Sequence, residues 1–506
     1  MGGFAFGFGS PDDQIVQRML DKIAHRGPDA RGTFKSGRAC MAQNYMKADV
    51  GSDRIDMSIP VVGSSSEGLR ICYDGQIGNL DGLATGSGVE AGPHREERFL
   101  LKLHETQGAD FLSRITDAIF ALVISNGNDF FAARDLLGIK TLFYGRRNGT
   151  LYLASELKSL VAATDDVHEF PPGHFMDGSG KLTRFASLPA EAPEASDRSV
   201  GETIGDIRGI IERSLASRVD FSRPTGSLLS GGIDSSVIAT LATRAYREEF
   251  GESSRLRTFA LGTGECMDLE NARLVSSHLN TDHCEVVVGP EELVEVLPEV
   301  IYYLESFDPS LVRSSASNFI ISRKARQEGI EVLLSGEGGD EIFCGYTYLK
   351  DCPPEDLHRR QMECMGFLHN NASLRLDRMN QCNGVKVVAP LISGELLEYS
   401  LTIPPEYKIY PDGDRKIEKW IFRKTFENDI PAAVVWRPKQ EFSQGSGSAD
   451  VLPAYFEEKI SSADFARAQR KYPIIRSKEE LHYFNLFTEH FGTGKAIETV
   501  GQWLTL

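Results

Sequence analysis

The spacing of apolar positions divides the chain into two regimes. Up to about residue 185, short apolar runs alternate with turn residues. Leu69–Tyr73, Ala118–Ser125, Phe130–Ala133, Thr141–Tyr144 and Leu151–Ala154 are such runs, with Gly and Asn between them. Runs of this length bounded by turn formers predict a sheet-rich first domain. A helical period shows only at Asp12–His25 and Glu97–Thr106. Ala186–Gly201 (ASLPAEAPEASDRSVG), rich in Pro, Ala, Ser and acid, reads as a linker.

Beyond the linker the rhythm becomes strand, helix, strand. Val200–Val219 carries Ile204, Ile207, Ile210, Ile211 and Leu215 on one helical stripe. The runs Gly226–Leu229, Leu256–Leu261, Glu285–Val288 and Ile330–Leu334 alternate with helices at Ser235–Phe250, Asn271–Leu279 and Glu291–Tyr303. Buried strands alternating with helices predict a doubly wound parallel sheet, whose ligands bind at the carboxyl ends of its strands. From about Asp351 the chain reads mostly helical. The expected organisation is α/β in class, with a sheet-rich domain over 1–190 and an α/β domain over 200–506.

Two Gly-rich turns fall at strand ends. Ser230-Gly231-Gly232-Ile233-Asp234-Ser235-Ser236 leaves a strand and opens a helix. Its glycines let backbone approach a phosphate, and N–H groups at the helix start bind anions. Asp234 beside a phosphate calls for an intervening cation, which suggests Mg²⁺. Ser335–Asp340 is the second turn. The GxxxxGK[ST] pattern is absent.

Charge and composition narrow the class. The 506 residues carry a formal net charge of −17, which disfavours broad binding to nucleic acid or anionic membrane. No run approaches the roughly 18 apolar residues of a membrane span. The N-terminus lacks the basic region of a signal peptide. Eight scattered cysteines without a CxxC pair argue against a disulfide framework or zinc ribbon and predict reduced thiols and a cytoplasmic setting.

SGGIDSS resembles the PP-loop of ATP pyrophosphatases, and IEVLLSGEGGDEIFCGY (Ile330–Tyr346) narrows the resemblance to glutamine-dependent asparagine synthetases. ESFDPSLVRS (Glu305–Ser314), Asp377-Arg378-Met379, IEKWIFR (Ile417–Arg423) and WRPKQEFSQG (Trp436–Gly445) also match that family. In the first domain HRGPD (His25–Asp29), RDLLGIK (Arg134–Lys140), ASELK (Ala154–Lys158) and EFPPGH (Glu169–His174) are similar too. The resemblance implies an Ntn-hydrolase-like, class II amidotransferase-like first domain and an ATP-pyrophosphatase second domain.

By the same resemblance, adenine lies against backbone at Leu228, Leu261, Ser335 and Gly336, with Ser230, Gly231, Gly232, Ser235 and Ser236 cradling phosphate. Asp234 and Asp340 hold Mg²⁺ and pyrophosphate. Glu337 serves amide formation, Ser310 and Arg313 hold the carboxylate substrate, and Lys439 stabilises charge during adenylation and acyl transfer. ATP and Mg²⁺ are the implied cofactors. A small carboxylic acid and an amine or ammonia are the implied partners, with a homodimer as the expected assembly.

The first domain departs from the family at the residues that handle glutamine. The family start Met-Cys-Gly-Ile becomes Met1-Gly2-Gly3-Phe4, and Gly2 offers no thiol. The family's carboxylate-gripping Arg falls at Tyr45, its Asn-Gly-Glu becomes Asp74-Gly75-Gln76, and its amine-pairing Asp falls near Arg95. These changes predict a glutaminase-deficient member, related to β-lactam and carbapenam synthetases and lasso-peptide cyclases. VKVVAPLIS (Val385–Ser393) stands where the family reads LEVRVPFLD, which bears on aspartate specificity.

The expected function is an ATP-dependent amide ligase, forming AMP and pyrophosphate and working without glutamine hydrolysis. Glu337, where β-lactam formers carry Tyr, ranks intermolecular amidation above lactam or macrolactam formation. An ammonia-dependent asparagine synthetase is a further alternative. A non-catalytic nucleotide-binding scaffold and a tRNA-thiolating ATP pyrophosphatase rank lower.

Overall fold

The computed structural model describes residues 2–47, 62–63, 68–264, 266–440, 445, 447 and 451–503. The chain forms two compact units, one of residues up to Leu188 with 368–370 and 487–502, the other of the remainder.

The first unit is built on two antiparallel sheets. Its strands are β1 (Phe4–Phe8), β2 (Ala30–Ser36), β3 (Ala39–Tyr45), β4 (Arg70–Ile77), β5 (Ala118–Ser125), β6 (Phe130–Arg134), β7 (Phe143–Arg147), β8 (Thr150–Ala154), β9 (His168–Glu169), β10 (His174–Asp177) and β11 (Leu182–Arg184). They pair in the orders β2-β3-β1-β8-β7-β9 and β11-β10-β6-β5-β4. The period of two explains the layers. Cys72, Ala121 and Val123 of one sheet share a core with Phe4, Phe6, Phe8, Leu151 and Leu153 of the other. Their neighbours Ile71, Tyr73, Phe120, Leu122 and Ile124 face the opposite side, against Phe99, Leu100 and Leu103 of helix Arg95–Gln107. β1, β2 and β3 are strands that the apolar pattern did not reveal.

The second unit holds a five-stranded, all-parallel sheet of β12 (Thr225–Leu228), β13 (Arg257–Gly262), β14 (Asp282–Val287), β15 (Val332–Leu334) and β16 (Lys386–Val388). The order is β14-β13-β12-β15-β16, so the chain reverses its direction of winding between β12 and β15. That reversal opens a crevice beyond their carboxyl ends. The expected α/β class and its two architectures are both present.

Three helices supply the crevice's walls. Ile233–Phe250 starts at the glycine turn after β12. Pro309–Gln327 is set by Pro at its first position and by Asp308, whose Oδ1 accepts the Leu311 N–H at 3.1 Å. Ala372–Gln381 packs against it.

Candidate active site

The turn after β12 is braced from within. The Ser230 N–H donates to Ser235 Oγ at 3.1 Å, the two hydroxyl oxygens lie 3.0 Å apart, and the Ser236 N–H reaches the Gly232 carbonyl at 3.0 Å. Gly231 sits at φ +70°, and a Cβ there would meet Ala272 N at 2.6 Å. The turn after β15 presses on the first: a Cβ on Gly336 would stand 2.5 Å from the Asp234 carbonyl carbon. These contacts require glycine and bring the two motifs together.

A cavity of about 200 Å³ opens at this junction. Leu228, Ser230, Gly232, Asp234, Ser235, Leu261, Ser335 and Gly336 line its nucleotide-motif side, and Asp340, Lys439, Glu337 and Ser310 continue the wall. Gly231, Ser236 and Arg313 are not part of the lining. Arg313 instead grips Glu479, with Nε–Oε1 at 3.0 Å and Nη2–Oε2 at 2.5 Å. The cavity-facing residues of its helix are Ser310, Ser314, Asn318 and Ile321, spaced four, four and three apart. At 100° per residue Arg313 lies about a quarter turn away from them.

Asp234 and Asp340, read as metal ligands, are bridged by Lys419, which the sequence reading passed over. Its ammonium, fully buried, lies 2.6 Å from Asp234 Oδ2 and 2.7 Å from Asp340 Oδ1. Lys439 Nζ donates to Asp340 Oδ2 at 2.6 Å. Burial alone would raise the Asp340 carboxyl, but Lys419 and Lys439 outweigh it and hold it well below the carboxylate range. Burial would lower the Lys439 ammonium, but Asp340 and Asp234 outweigh it and push it up. The quartet is self-neutralised, with Lys439 on the cavity wall and Lys419 buried behind the two carboxylates. Space for it comes from Gly345, where a Cβ would meet Lys419 Cε at 1.9 Å, and from Gly339, where one would meet Asp234 Oδ1 at 2.3 Å.

Arg423, in the same motif as Lys419, explains why two distant sequence motifs act together. It is buried, donates from Nε to the Glu418 carbonyl at 2.9 Å, and reaches the carbonyls of Val435 and Arg437. It thereby fixes the turn that carries Arg437 and Lys439. Arg437 in turn donates to Asp268 Oδ1 at 2.7 Å.

Glu337 lies across the cavity and accepts from Arg375 Nη2 at 2.6 Å through Oε1. Arg375 is a second residue missed from sequence. Asp377-Arg378-Met379 was the matched triplet, yet Arg378 turns to a buried pair with Glu305 at 3.0 Å. None of Val385–Ser393 lines the cavity, so the substitutions in VKVVAPLIS do not bear directly on what it holds.

Beside this pocket the buried Glu341 accepts from the Tyr346 hydroxyl at 2.6 Å. Burial first, then the neighbouring Asp340, push its carboxyl from 4.5 up to about 7. A carboxyl raised in the fold contributes stability that is complete below its unfolded value and is lost as pH rises through its folded value. Between about pH 5 and 8 this group should therefore cost the fold on the order of 3 kcal/mol. Glu341→Gln should flatten that part of the profile in denaturant titrations across the range. An unchanged profile would remove Glu341 as its source.

The asparagine synthase family model matches residues 206–361 and 353–485, and the glutamine amidotransferase domain model matches residues 1–178. A probable asparagine synthetase [glutamine-hydrolyzing] of Dictyostelium discoideum is 31% identical over 96% of this chain and 92% of its own length. The chain belongs to the asparagine synthetase family. Asparagine synthetase [glutamine-hydrolyzing] of Gallus gallus is 30% identical over 96% of the chain and 92% of its own length. Asparagine synthetase B [glutamine-hydrolyzing] of Escherichia coli (strain K12) is 31% identical over 94% and 88%. Membership makes this an ATP-dependent carbon–nitrogen ligase with an amidotransferase-like first domain. Among the described residues no helix is long and apolar enough to cross a membrane.

These matches correct the expectation of a glutaminase-deficient member akin to lactam synthetases and lasso-peptide cyclases. The amidotransferase match runs through the first domain, and the family members found are named glutamine-hydrolyzing. Arg95, aligned to the amine-pairing acid, pairs with Asp81 at the surface, while a buried acid stands two residues on. That acid is Glu97, ion-paired to His94 at 2.9 Å, and His94 meets the Tyr45 ring edge-on at 5.4 Å. Asp74 pairs with Arg26 at 2.6 Å and Lys140 at 3.2 Å. The Gly2 backbone lies against Asn44, with no room for a Cβ.

Proposed function

We propose that this synthetase activates a carboxylic acid as its acyl-adenylate and passes the acyl group to ammonia. The carrying observation is the Lys419–Lys439–Asp234–Asp340 quartet beneath two interlocked glycine turns, with the Glu337–Arg375 pair on the same cavity. A carboxylate oxygen of the acid attacks the α-phosphorus of ATP, and the bond to the bridging oxygen breaks to release pyrophosphate. Lys419 and Lys439 offset the charge that gathers on the phosphoryl oxygens. Ammonia then attacks the acyl carbon, Glu337 accepts the proton it sheds, and AMP departs. Arg375 fixes Glu337 through Oε1, while Oε2 takes no hydrogen bond among the described residues.

The donor set suits Mg²⁺. Among the described residues no cluster of three or more metal-ligating side chains is present. Mg²⁺ on nucleotides typically takes one or two carboxylates and completes its shell with phosphate and water. Asp234 and Asp340 are two such carboxylates, with Lys419 and Lys439 now against their oxygens. They would hold the ion, which supplies charge neutralisation at pyrophosphate.

Aspartate is the first acid to test, because the relatives' names say asparagine synthetase. Those names also favour glutamine as the source of the ammonia. The test is pyrophosphate exchange into ATP across a panel of carboxylic acids, followed by mass spectrometry of product made with ¹⁵N-ammonium or with amide-¹⁵N-glutamine. Acid-dependent exchange and a mass shift of one ¹⁵N in an amide are expected. Exchange without any acid, or no amide from either nitrogen donor, would overturn the reading.

A further inference from the structure

Trp503 stands apart from every motif above, yet it lines the same cavity. Its main chain is pinned from both sides. The N–H donates to Asp308 Oδ2 at 3.0 Å, and the carbonyl accepts from Arg476 Nη1 at 2.8 Å. Arg476 Nη2 also contacts Asp308 Oδ2 at 2.9 Å, and Glu480 Oε1 at 2.9 Å. Asp308 and Glu480 are buried to 2% and 0% exposure, so these charge-assisted bonds lie in a low-dielectric setting where they hold geometry firmly.

The pin is shared with a residue read as contacting the substrate. Asp308 Oδ1 caps the helix whose first turn presents Ser310, while Oδ2 holds Trp503. One carboxylate thus sets the position of both cavity walls. The indole leans on Tyr346 and Phe367, with centroids at 5.9 and 5.1 Å. Tyr346 is itself held by Glu341. Glu337 and Arg375 line the same cavity.

A cavity lined both by packed aromatic rings and by a charged pair suits a ligand with apolar as well as polar parts. Resting on the proposed adenylation, we infer that Trp503 is a specificity-determining wall of the acyl pocket. Its indole packs on an apolar face of the carboxylic acid, and the substrate is an acid with an apolar or aromatic carbon skeleton besides its polar groups. Loss of an aromatic contact should weaken the acid and leave ATP alone, because the ring's packing partners, Tyr346 and Phe367, lie outside the glycine turns Ser230–Ser236 and Ser335–Asp340.

The test uses wild type, Trp503→Phe and Trp503→Ala as full-length protein. Acid-dependent pyrophosphate exchange is measured with aspartate, glutamate, and aliphatic and phenyl-bearing acids. In Trp503→Ala, KM for the preferred acid should rise about 10-fold or more. KM for ATP should be unmoved, and Trp503→Phe should recover most of the loss. Equal KM for the acid in all three proteins, or a preference for aspartate unchanged in Trp503→Ala, would overturn the inference. A second readout needs no turnover: emission of wild type minus Trp503→Phe isolates this indole, and the same acids are titrated with Mg·AMP present. A saturable change with an apolar acid is expected. A flat titration with every acid overturns the inference whether or not exchange is seen, whereas a response without exchange would sustain it and sink the adenylation instead.

Discussion

Lys419→Met should abolish adenylation while leaving the fold in place. The ammonium is the group that holds Asp234 and Asp340 together, and no other cation touches Asp234 among the contacts described. Without it two carboxylates face one another at the point where a triphosphate must enter. The same loss removes a fixed cation from the phosphoryl oxygens during transfer. Removing a preorganised electrostatic stabiliser costs on the order of 10²–10³ in rate, and the added repulsion sets the expectation at the upper end. The folded protein should also lose about 3 kcal/mol or more, the usual cost of breaking a buried pair. Acid-dependent pyrophosphate exchange and urea unfolding measure the two effects separately. A folded variant that keeps exchange within threefold of wild type would show that the quartet is a structural ion pair only.

Glu337→Gln should separate the two half-reactions. The amide keeps size and polarity, still meets Arg375, and removes both charge and basicity. Adenylation uses neither, so exchange should survive better than amide formation. Amide formation should fall by roughly 10²-fold or more, as for loss of a proton acceptor. Exchange and amide yield are measured on the same preparation. If both steps fall equally, or neither falls, Glu337 serves only to position Arg375.

The sequence was most informative where backbone demands glycine. Gly231 needs a left-handed φ, and Gly336 needs backbone contact, so both turns announced themselves. Four of the five parallel strands were legible as short apolar stretches between helices, while β16 (KVV) was not. β1 and β2 were not, since FAFGF is broken by glycine and ARGTFKS mixes glycine with charged residues. Lys419 was hidden because it sits at φ +55° immediately before helix Trp420–Phe426, where a lysine looks like an ordinary solvated helix start. Arg375 was hidden two residues before the triplet that matched. Arg313 misled because a helix motif fixes residue order but not which face meets the cavity. The glutaminase reading rested on single positions such as Gly2 and Tyr45, whereas the amidotransferase match runs through the whole first domain and the relatives are named glutamine-hydrolyzing.

The central claim is that a carboxylate is joined to the α-phosphoryl group of ATP. Oxygen transfer tests it most directly. An acid that supports exchange is labelled with ¹⁸O in its carboxylate and turned over with ATP and ammonium, and the nucleotide product is weighed by mass spectrometry. AMP carrying one ¹⁸O is predicted, with unlabelled pyrophosphate. Unlabelled AMP, or ADP as the stoichiometric product, would contradict the account.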